Sequence, residues 1–360
     1  MVGDDIDGIF GYYGHGNFGD ELFERIIVDK ANGMGLIPAT VCSETDDLRD
    51  KYGREQNLIH RGKLLIANIC LLKKSRSITL GGGSVIGHLN PMSLRHMQIL
   101  KSNLCNIPFL GLGVGIQSAT GNVSSRLLKS FDWIAVRSAK DYRIAKEVIE
   151  KDRLCWMPDM AYADNELFEE QIPSPRTFCT IIPTTNGVLG KCVSKDPDTI
   201  KRWARKELFQ FCEQHDLEIK ILLAQYGKVD IAIAAKLIHI FTTLGFKTTK
   251  FCIHQTLEKT VADLRSSRVV LTDRFHGAVV SHRLGIPFFL TGDQSKNQQF
   301  NLEIMGGGVF SIYDLPSRET LETILELQTR SGYADRINQL RMQANEAIEN
   351  WGEILKVRLG

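Results

Sequence analysis

The chain has 360 residues, of which 43% are hydrophobic and 24% charged, a size and composition typical of a two-domain globular protein. A formal net charge of +2 gives no case for a nucleic-acid binder, and no apolar run reaches the ~20 residues of a membrane-spanning helix. The eight cysteines form no CxxC pair, which disfavours a zinc or redox site, and the acidic start MVGDDIDG is unlike a signal peptide. We expect a cytoplasmic protein, or one that rests on the inner face of a membrane.

Short apolar, β-branched runs alternate with longer amphipathic segments along the chain. This alternation predicts an α/β fold whose parallel sheets are covered by helices on both faces. Predicted strands are residues 6–12, 36–42, 77–80, 107–112, 133–136, 154–157, 178–183, 218–223, 247–252, 268–272, 287–290 and 309–312. Predicted helices include residues 20–30, 199–214, 230–244, 257–266 and a long final segment, 334–356.

Residues 163–177 are acidic, end in IPSPR and interrupt the alternation, so we expect a linker there. The prediction is two Rossmann-like domains, residues 1–165 and 175–330, facing each other across a cleft. Residues 331–360 would form a helix that packs back on the first domain.

The first predicted strand leads into a glycine-rich loop, GYYGHGNFGDE, and then a helix. The loop contains GxGxxG at Gly14, Gly16 and Gly19, where glycines allow close approach to a ligand and the helix start can bind an anion. Asp20 and Glu21 would repel a pyrophosphate on that first turn, which argues against a nicotinamide cofactor. Asp20 is either a helix cap or a carboxylate that orients substrate; a turn that only connects strand to helix is the alternative for the whole loop.

Two further glycine loops, GGGS at residues 81–84 and GLGVGIQS at residues 111–118, also follow predicted strands. Ligands of open parallel sheets bind at the carboxyl ends of strands, so three such loops suggest a wide ligand edge, although each could serve packing alone. Arg137 follows the strand DWIAV with Asp141 four residues later. It is either half of a surface ion pair or a cation facing the cleft.

The segment LTDRFHGAVVSHRLGIPF, residues 271–288, carries the most chemical information. A strand is predicted to end near Thr272 and a helix to begin near residue 276 or 277. Arg274 therefore offers a planar fork of donors, and His276 a charge or a proton, at the ligand edge of a sheet. Lys296, in GDQSKNQQF after the next strand, could share this anion site or be an ordinary exposed lysine.

With these residues in view, the sequence resembles the polysaccharide pyruvyl transferase family. The resemblance rests on GYYGHGNFGDE, GGGS, GLGVGIQ, VRS at residues 136–138, PDMAY, and TDRFHG with its downstream lysine. It implies a two-domain fold of the glycosyltransferase-B type. It also implies phosphoenolpyruvate as donor and a ketal-forming transfer onto a sugar diol of a surface polysaccharide, such as an exopolysaccharide or capsule, or of its lipid-linked precursor. Two positions depart from the family pattern: Phe275 stands where leucine is frequent, and Gln294–Ser295 where Asp-Pro often precedes the lysine.

The resemblance implies that Arg274 and His276 hold the donor and support catalysis, and the other roles are hypotheses from the residues themselves. No cofactor is expected, because a cationic pocket can hold both phosphate and carboxylate without a metal. Catalysis would fall to His276 and Arg274, with Asp20 placing a hydroxyl or a proton. Donor ligands would be Arg274, Phe275, His276, Lys296 and Arg137, and acceptor ligands would be Gly16, Asn17, Gly83, Ser84 and Gln117.

Three other readings remain open on the sequence. A nucleotide-sugar glycosyltransferase of the same fold would need a ribose-binding acid near Arg274, and none is evident. A non-enzymatic sugar-binding protein would not need clustered Arg, His and Lys, and a nicotinamide oxidoreductase is disfavoured by Asp20 and Glu21.

Overall fold

The computed structural model describes residues 6–13, 16–40, 64–83, 86, 94–116, 122–169, 176–225, 227–247, 249–292, 295–305, 313–327 and 331–360. The predicted strand at 309–312 and the end of the one at 36–42 lie outside these residues, as do Ser84 and Gln117. The described chain divides into two compact units, and each is an α/β layer structure. The first takes Met1–His15, Gly19–Ala163 and Leu340–Gly360; the second takes Gly16–Phe18 and Asp164–Gln339.

In the first unit, the described strands form a parallel sheet in the order β2-β1-β3-β4-β5-β6. The strands are β1 Ile6–Phe10, β2 Pro38–Ala39, β3 Ser75–Gly81, β4 Phe109–Val114, β5 Trp133–Val136 and β6 Leu154–Trp156. The helices are α1 Phe18–Gly33, α2 Leu64–Lys74, α3 Leu94–Cys105, α4 Asn122–Ser130 and α5 Ala139–Ala145. Short 3-10 turns follow at Lys151–Arg153 and Met160–Tyr162.

Helix α1 shows why the local sequence becomes a helix. Leu22, Phe23, Ile26 and Ile27 recur at three- and four-residue spacing and are all buried. The helix carries acidic residues in its first turn and a lysine in its last, as the helix dipole favours. Its apolar face therefore packs into the unit.

In the second unit, the described strands form a parallel sheet in the order β11-β10-β7-β8-β9. The strands are β7 Phe178–Ile182, β8 Glu218–Leu223, β9 Thr249–Ile253, β10 Ser267–Thr272 and β11 Phe288–Leu290. The helices are α6 Val188–Lys195, α7 Pro197–Trp203, α8 Phe209–Gln214, α9 Lys228–Thr243, α10 Leu257–Arg265, α11 Phe275–Arg283, α12 Ser295–Met305 and α13 Arg318–Leu327. A π-helical turn at Ala204–Leu208 interrupts the single helix that the sequence predicted over residues 199–214.

The last helix, α14, runs from Ser331 to Leu359. Its residues up to Gln339 group with the second unit and those from Leu340 with the first. Within the first unit, the buried indole of Trp351 donates a hydrogen bond to Thr79 of β3 at 3.1 Å. No helix among the described residues combines the length and apolarity needed to cross a bilayer.

In each sheet, successive strands are first added on one side of the starting strand and then on the other; we call the position between the starting strand and the first strand on the other side the reversal point. In the second sheet, β7, β8 and β9 follow one another outward, and β10 and β11 lie on the other side of β7. In the first sheet the reversal falls between β1 and β3. Ligands of doubly wound sheets bind at such a point, outside the carboxyl ends of the two strands.

Candidate functional site

The turn between β10 and α11 lies at the reversal point of the second sheet. The amide of Arg274 donates to the hydroxyl of Thr272, and that hydroxyl donates to the carbonyl of Arg274, both at 2.9 Å. Arg274 is extended and occupies the N-cap position of α11, but its side chain does not cap the helix. The turn therefore brings the start of α11 to the ligand edge and leaves the arginine side chain available for other contacts.

The guanidinium of Arg274 is held by two side chains from neighbouring loops. Its Nη1 donates to Oε1 of Gln225 at 2.9 Å, and its Nη2 donates to Oδ2 of Asp230 at 2.6 Å. Oδ1 of Asp230 accepts from the amide and the hydroxyl of Thr185, at 3.1 and 2.8 Å. Gln225 follows β8, Thr185 follows β7 and Asp230 lies in the first turn of α9, so two loops and the start of one helix converge at this arginine.

The buried carboxylate of Asp273 ties the same loops together. Burial raises the pKa of the Asp273 carboxyl, and the hydrogen bonds that it accepts act in the opposite direction. Its donors are the hydroxyl of Thr291 and the amides of Thr184, Leu189 and Gly190, the amides at 3.2 to 3.3 Å. Asp273 thus fixes the ends of β7, β10 and β11 beneath Arg274.

The ring of Phe275 lies close to two other cation candidates of the second unit, His276 and Lys296. Its ring lies 5.2 Å from that of His276 and 5.4 Å from that of Phe300, both in edge-on arrangements. The Nζ of Lys296 lies 5.4 Å from the centre of the Phe275 ring, a cation–π distance. His276 and Lys296 are each half-buried, and each is the second residue of its helix.

The segment Gly16–Phe18 belongs to the second unit by its contacts. Gly16 has a φ of 63°, Asn17 forms an antiparallel bridge with Gln225, and the amide of Phe18 donates to the carbonyl of Ala224 at 3.0 Å. The Phe18 ring lies 5.5 Å from that of His254, after β9. Asn17 is therefore adjacent to the glutamine that accepts from Arg274.

At the reversal point of the first sheet, the glycines accommodate aromatic rings. A Cβ on Gly11 or on Gly81 would lie 2.2 to 2.6 Å from Tyr13 atoms, and one on Gly82 would lie 2.2 Å from the Phe23 ring. Tyr13 is buried, and its hydroxyl donates to the Gly81 carbonyl at 3.0 Å. Burial raises the pKa of Tyr13, as do the charges of Glu24 and Asp20. These three glycines are thus explained by packing.

Gly83 and Arg137 meet at Gly115. The amide of Gly115 donates to the Gly83 carbonyl at 2.8 Å, and a Cβ on Gly115 would lie 2.8 Å from Nε of Arg137. Asp141 is 6% exposed, so it is not the surface residue that the ion pair considered from the sequence would require. Burial raises the pKa of the Asp141 carboxyl, against the hydrogen bond from Ser138 and the charge of Arg137.

Asp20 lies in the first turn of α1 and not at its N-cap position. The helix begins at Phe18, and Glu21 next to Asp20 is buried. The charge of Asp20 contributes to the raised pKa of Tyr13.

The structure thus divides the predicted site residues between the two units. Among the described residues, no group of three or more His, Cys, Asp or Glu side chains is arranged to hold a metal ion. Gly16, Asn17, Arg274, Phe275, His276 and Lys296 lie in the second unit, and Asp20, Gly83 and Arg137 lie in the first.

A family model of polysaccharide pyruvyl transferases matches residues 17–295. The chain belongs to the polysaccharide pyruvyl transferase family. The match spans both the Asn17 loop and the Arg274 turn, and it ends one residue before Lys296. Among curated proteins, none matches this sequence.

Solved structures confirm the fold of this pyruvyl transferase family member. UDP-GlcNAc 2-epimerase from Methanocaldococcus jannaschii has 13% identity and a TM-score of 0.60, over 91% of this chain and 93% of that chain. A putative UDP-N-acetylglucosamine 2-epimerase from Listeria monocytogenes has 10% identity and a TM-score of 0.61, over 97% and 94%. A glycotransferase of kitacinnamycin has 10% identity and a TM-score of 0.56, over 100% of both chains. The predicted glycosyltransferase-B fold class is confirmed; at these identities the likeness is one of fold alone.

Sequence reasoning missed the residues that surround Arg274 in this transferase. The predicted helix 230–244 begins at Asp230, but no acid beside Arg274 was evident from the sequence, and the structure places Asp230 there. Gln225 was not singled out. Asp273, directly before Arg274, was not singled out. The available signal was their position, since each follows a predicted strand of the same domain and the carboxyl ends of parallel strands share one edge.

Proposed function

We propose that this pyruvyl transferase takes the pyruvyl group of phosphoenolpyruvate and forms a ketal on a sugar diol, with release of inorganic phosphate. The observation that carries the proposal is the cluster at the β10–α11 turn. Arg274, His276 and Lys296 lie there together, at the start of a helix and at the reversal point of the sheet.

The charges of this cluster fit a small and strongly anionic donor. Phosphoenolpyruvate carries a phosphate and a carboxylate, and the guanidinium and ammonium groups supply two positive charges that Asp230 only partly offsets. The first amides of α11 add donors, since the Arg274 side chain does not cap them. In the first unit, we propose Arg137 as a further cation for the anionic substrate.

The reaction needs proton transfer and charge stabilisation from the protein. A general acid gives a proton to the methylene carbon, and C2 becomes an oxocarbenium-like centre. A sugar hydroxyl attacks C2 and loses its proton, the C2–O bond to phosphate breaks, and a second hydroxyl closes the ketal and loses its proton. The two hydroxyl protons balance the one gained by the methyl group and the one carried away by phosphate.

We assign His276 as the acid or the phosphate clamp and Arg274 and Lys296 as charge-neutralising ligands. Phe275 supports both neighbours through ring contacts. Asn17, Gly16 and Gly83, with Ser84 and Gln117 outside the described residues, are proposed as acceptor ligands, and Asp20 as a group that places a hydroxyl or a proton. The proposed acceptor is a polysaccharide precursor of the cell surface, free or lipid-linked, used on the cytoplasmic side of the membrane.

Thermal unfolding with candidate donors tests this proposal. A ligand that binds only the folded chain raises the melting temperature by mass action, so phosphoenolpyruvate should raise it and UDP-GlcNAc should not. Phosphate release from phosphoenolpyruvate with a panel of synthetic and lipid-linked glycosides then identifies the acceptor. A shift with the nucleotide sugar alone would contradict the proposal and favour a glycosyltransferase.

A further inference from the structure

The Asp230 carboxylate connects two loops across the reversal point of the second sheet. One of its oxygens accepts two hydrogen bonds from Thr185, and the other accepts from Arg274 at 2.6 Å. Asp230 and Arg274 are 44 residues apart in sequence, so the strand order alone brings them together. Because both oxygens are engaged, the carboxylate has one defined orientation.

This ion pair differs from the exposed pairs of the same unit. The side chains of Arg274 and Asp230 are 22% and 10% exposed, whereas those of Lys201 and Asp198 are 53% and 76% exposed. Solvent screens an exposed pair and leaves both chains free to move, so such a pair contributes little. A largely buried pair restrains the long arginine side chain to one direction.

The restrained guanidinium keeps donors for a further ligand. A guanidinium has five N–H groups in a fixed plane, and Asp230 and Gln225 each accept from one of them. The Nε of Arg274 is buried and donates to no acceptor among the described residues. Among the residues that the structure describes, three N–H groups of Arg274 therefore have no acceptor and can bind an anion.

We propose that Asp230 is a positioning residue that, oriented by Thr185, aims the remaining N–H groups of Arg274 at the phosphate of the donor. Asp230 does not touch the substrate and acts only through the guanidinium. The proposal rests on the proposed function in assigning Arg274 to the donor phosphate.

A double-mutant cycle measured with inorganic phosphate tests this role. Phosphate affinity is determined by calorimetry for the wild type, Asp230→Ala, Arg274→Ala and the double variant. We expect Asp230→Ala to weaken phosphate binding about 10-fold, the size of one charge-assisted hydrogen bond. The double variant should bind no more weakly than Arg274→Ala alone, because the carboxylate acts only through that side chain.

Two further variants make the cycle specific. Thr185→Val removes the hydroxyl that orients Asp230 but keeps the amide, and we expect about 3-fold weaker binding. Asp198→Ala removes one carboxylate and an exposed ion pair from the same unit, and phosphate affinity should not change. Thermal unfolding of each variant reports its folding; Asp230→Asn, which keeps the volume, replaces any Asp230→Ala protein that fails to fold, with the same expected result.

Several results would overturn the proposal. Tighter phosphate binding by Asp230→Ala would mean that the carboxylate competes with the anion, and additive losses in the double variant would mean an effect independent of Arg274. Unchanged affinity in Asp230→Ala, or no phosphate binding by the wild type, would also overturn it. If the cycle behaves as expected but phosphoenolpyruvate yields no phosphate with any acceptor, the proposed function fails and the role of Asp230 stands.

Discussion

The buried histidine on α11 makes the stability of this chain depend on pH. His282 is 1% exposed and packs against the rings of Phe288, Phe300 and Tyr333, at centre distances of 6.1, 6.5 and 4.8 Å. Burial, and then the charge of Arg336, lower the pKa of His282 to about 3. The imidazole is therefore neutral in the folded chain across the range in which it becomes charged in the unfolded chain.

The direction of this pH effect on stability follows from how many protons the folded and the unfolded chain bind. Below its unfolded pKa of about 6.5 the histidine is protonated in the unfolded chain and neutral in the folded chain, so stability falls as pH falls. The loss is about 1.4 kcal/mol per pH unit, or about 2 kcal/mol at pH 5, and it levels off near the folded value.

The assay is urea unfolding of the wild type and His282→Leu between pH 7.5 and 5. We expect the unfolding free energy of the wild type to fall by about 2 kcal/mol relative to that of His282→Leu over this interval, because the variant lacks the titrating group. His239→Leu, at an exposed position on α9, is the matched control and should follow the wild type. If the unfolding free energies of the wild type and His282→Leu changed equally with pH, the reasoning would be refuted.

Three other variants test the site. Arg274→Ala should weaken phosphoenolpyruvate binding about 10- to 100-fold in calorimetry, since hydrogen bonds to charged groups are worth about 1.5–3 kcal/mol; wild-type affinity would place the donor elsewhere. His276→Ala should lower kcat about 100-fold or more at saturating phosphoenolpyruvate if the imidazole is the acid, whereas a defect in KM alone identifies a phosphate clamp. Gly187→Ala places a Cβ 2.0 Å from Cγ of Asp273 and should lower the unfolding free energy by at least about 2 kcal/mol. The control Gly33→Ala, whose Cβ has no atom within 4 Å, should not destabilise the chain. Equal effects of the two substitutions would contradict the packing argument.

The α/β class followed from the sequence because it depends on a local property. Buried parallel strands have short apolar sequences, and the helices that cover them have amphipathic sequences. Alternation of the two patterns therefore predicts the class without any long-range contact. Some element boundaries differ from those predicted. Within the described part of the strand predicted at 36–42, pairing with β1 occurs at Pro38 and Ala39, and a π-helical turn at Ala204–Leu208 interrupts the predicted helix 199–214.

The position of Arg274 also followed from the sequence, since a residue between a buried strand and a helix lies at the ligand edge of a parallel sheet whatever the strand order. The role of the glycines did not follow. Glycine allows close approach of either a ligand or a side chain, and only the fold shows Tyr13 packed against Gly11 and Gly81.

The sequence by itself determined the α/β class, the family and the chemical character of the Arg274 turn, because these depend on residue type and spacing within short segments. Only the tertiary structure decided which groups surround that arginine. Gln225 and Asp230 precede it by 49 and 44 residues, and they reach it because β7, β8 and β10 end at the same edge of one sheet. The strand order creates that convergence, and strand order is a property of the folded chain that the residues of any single segment do not encode.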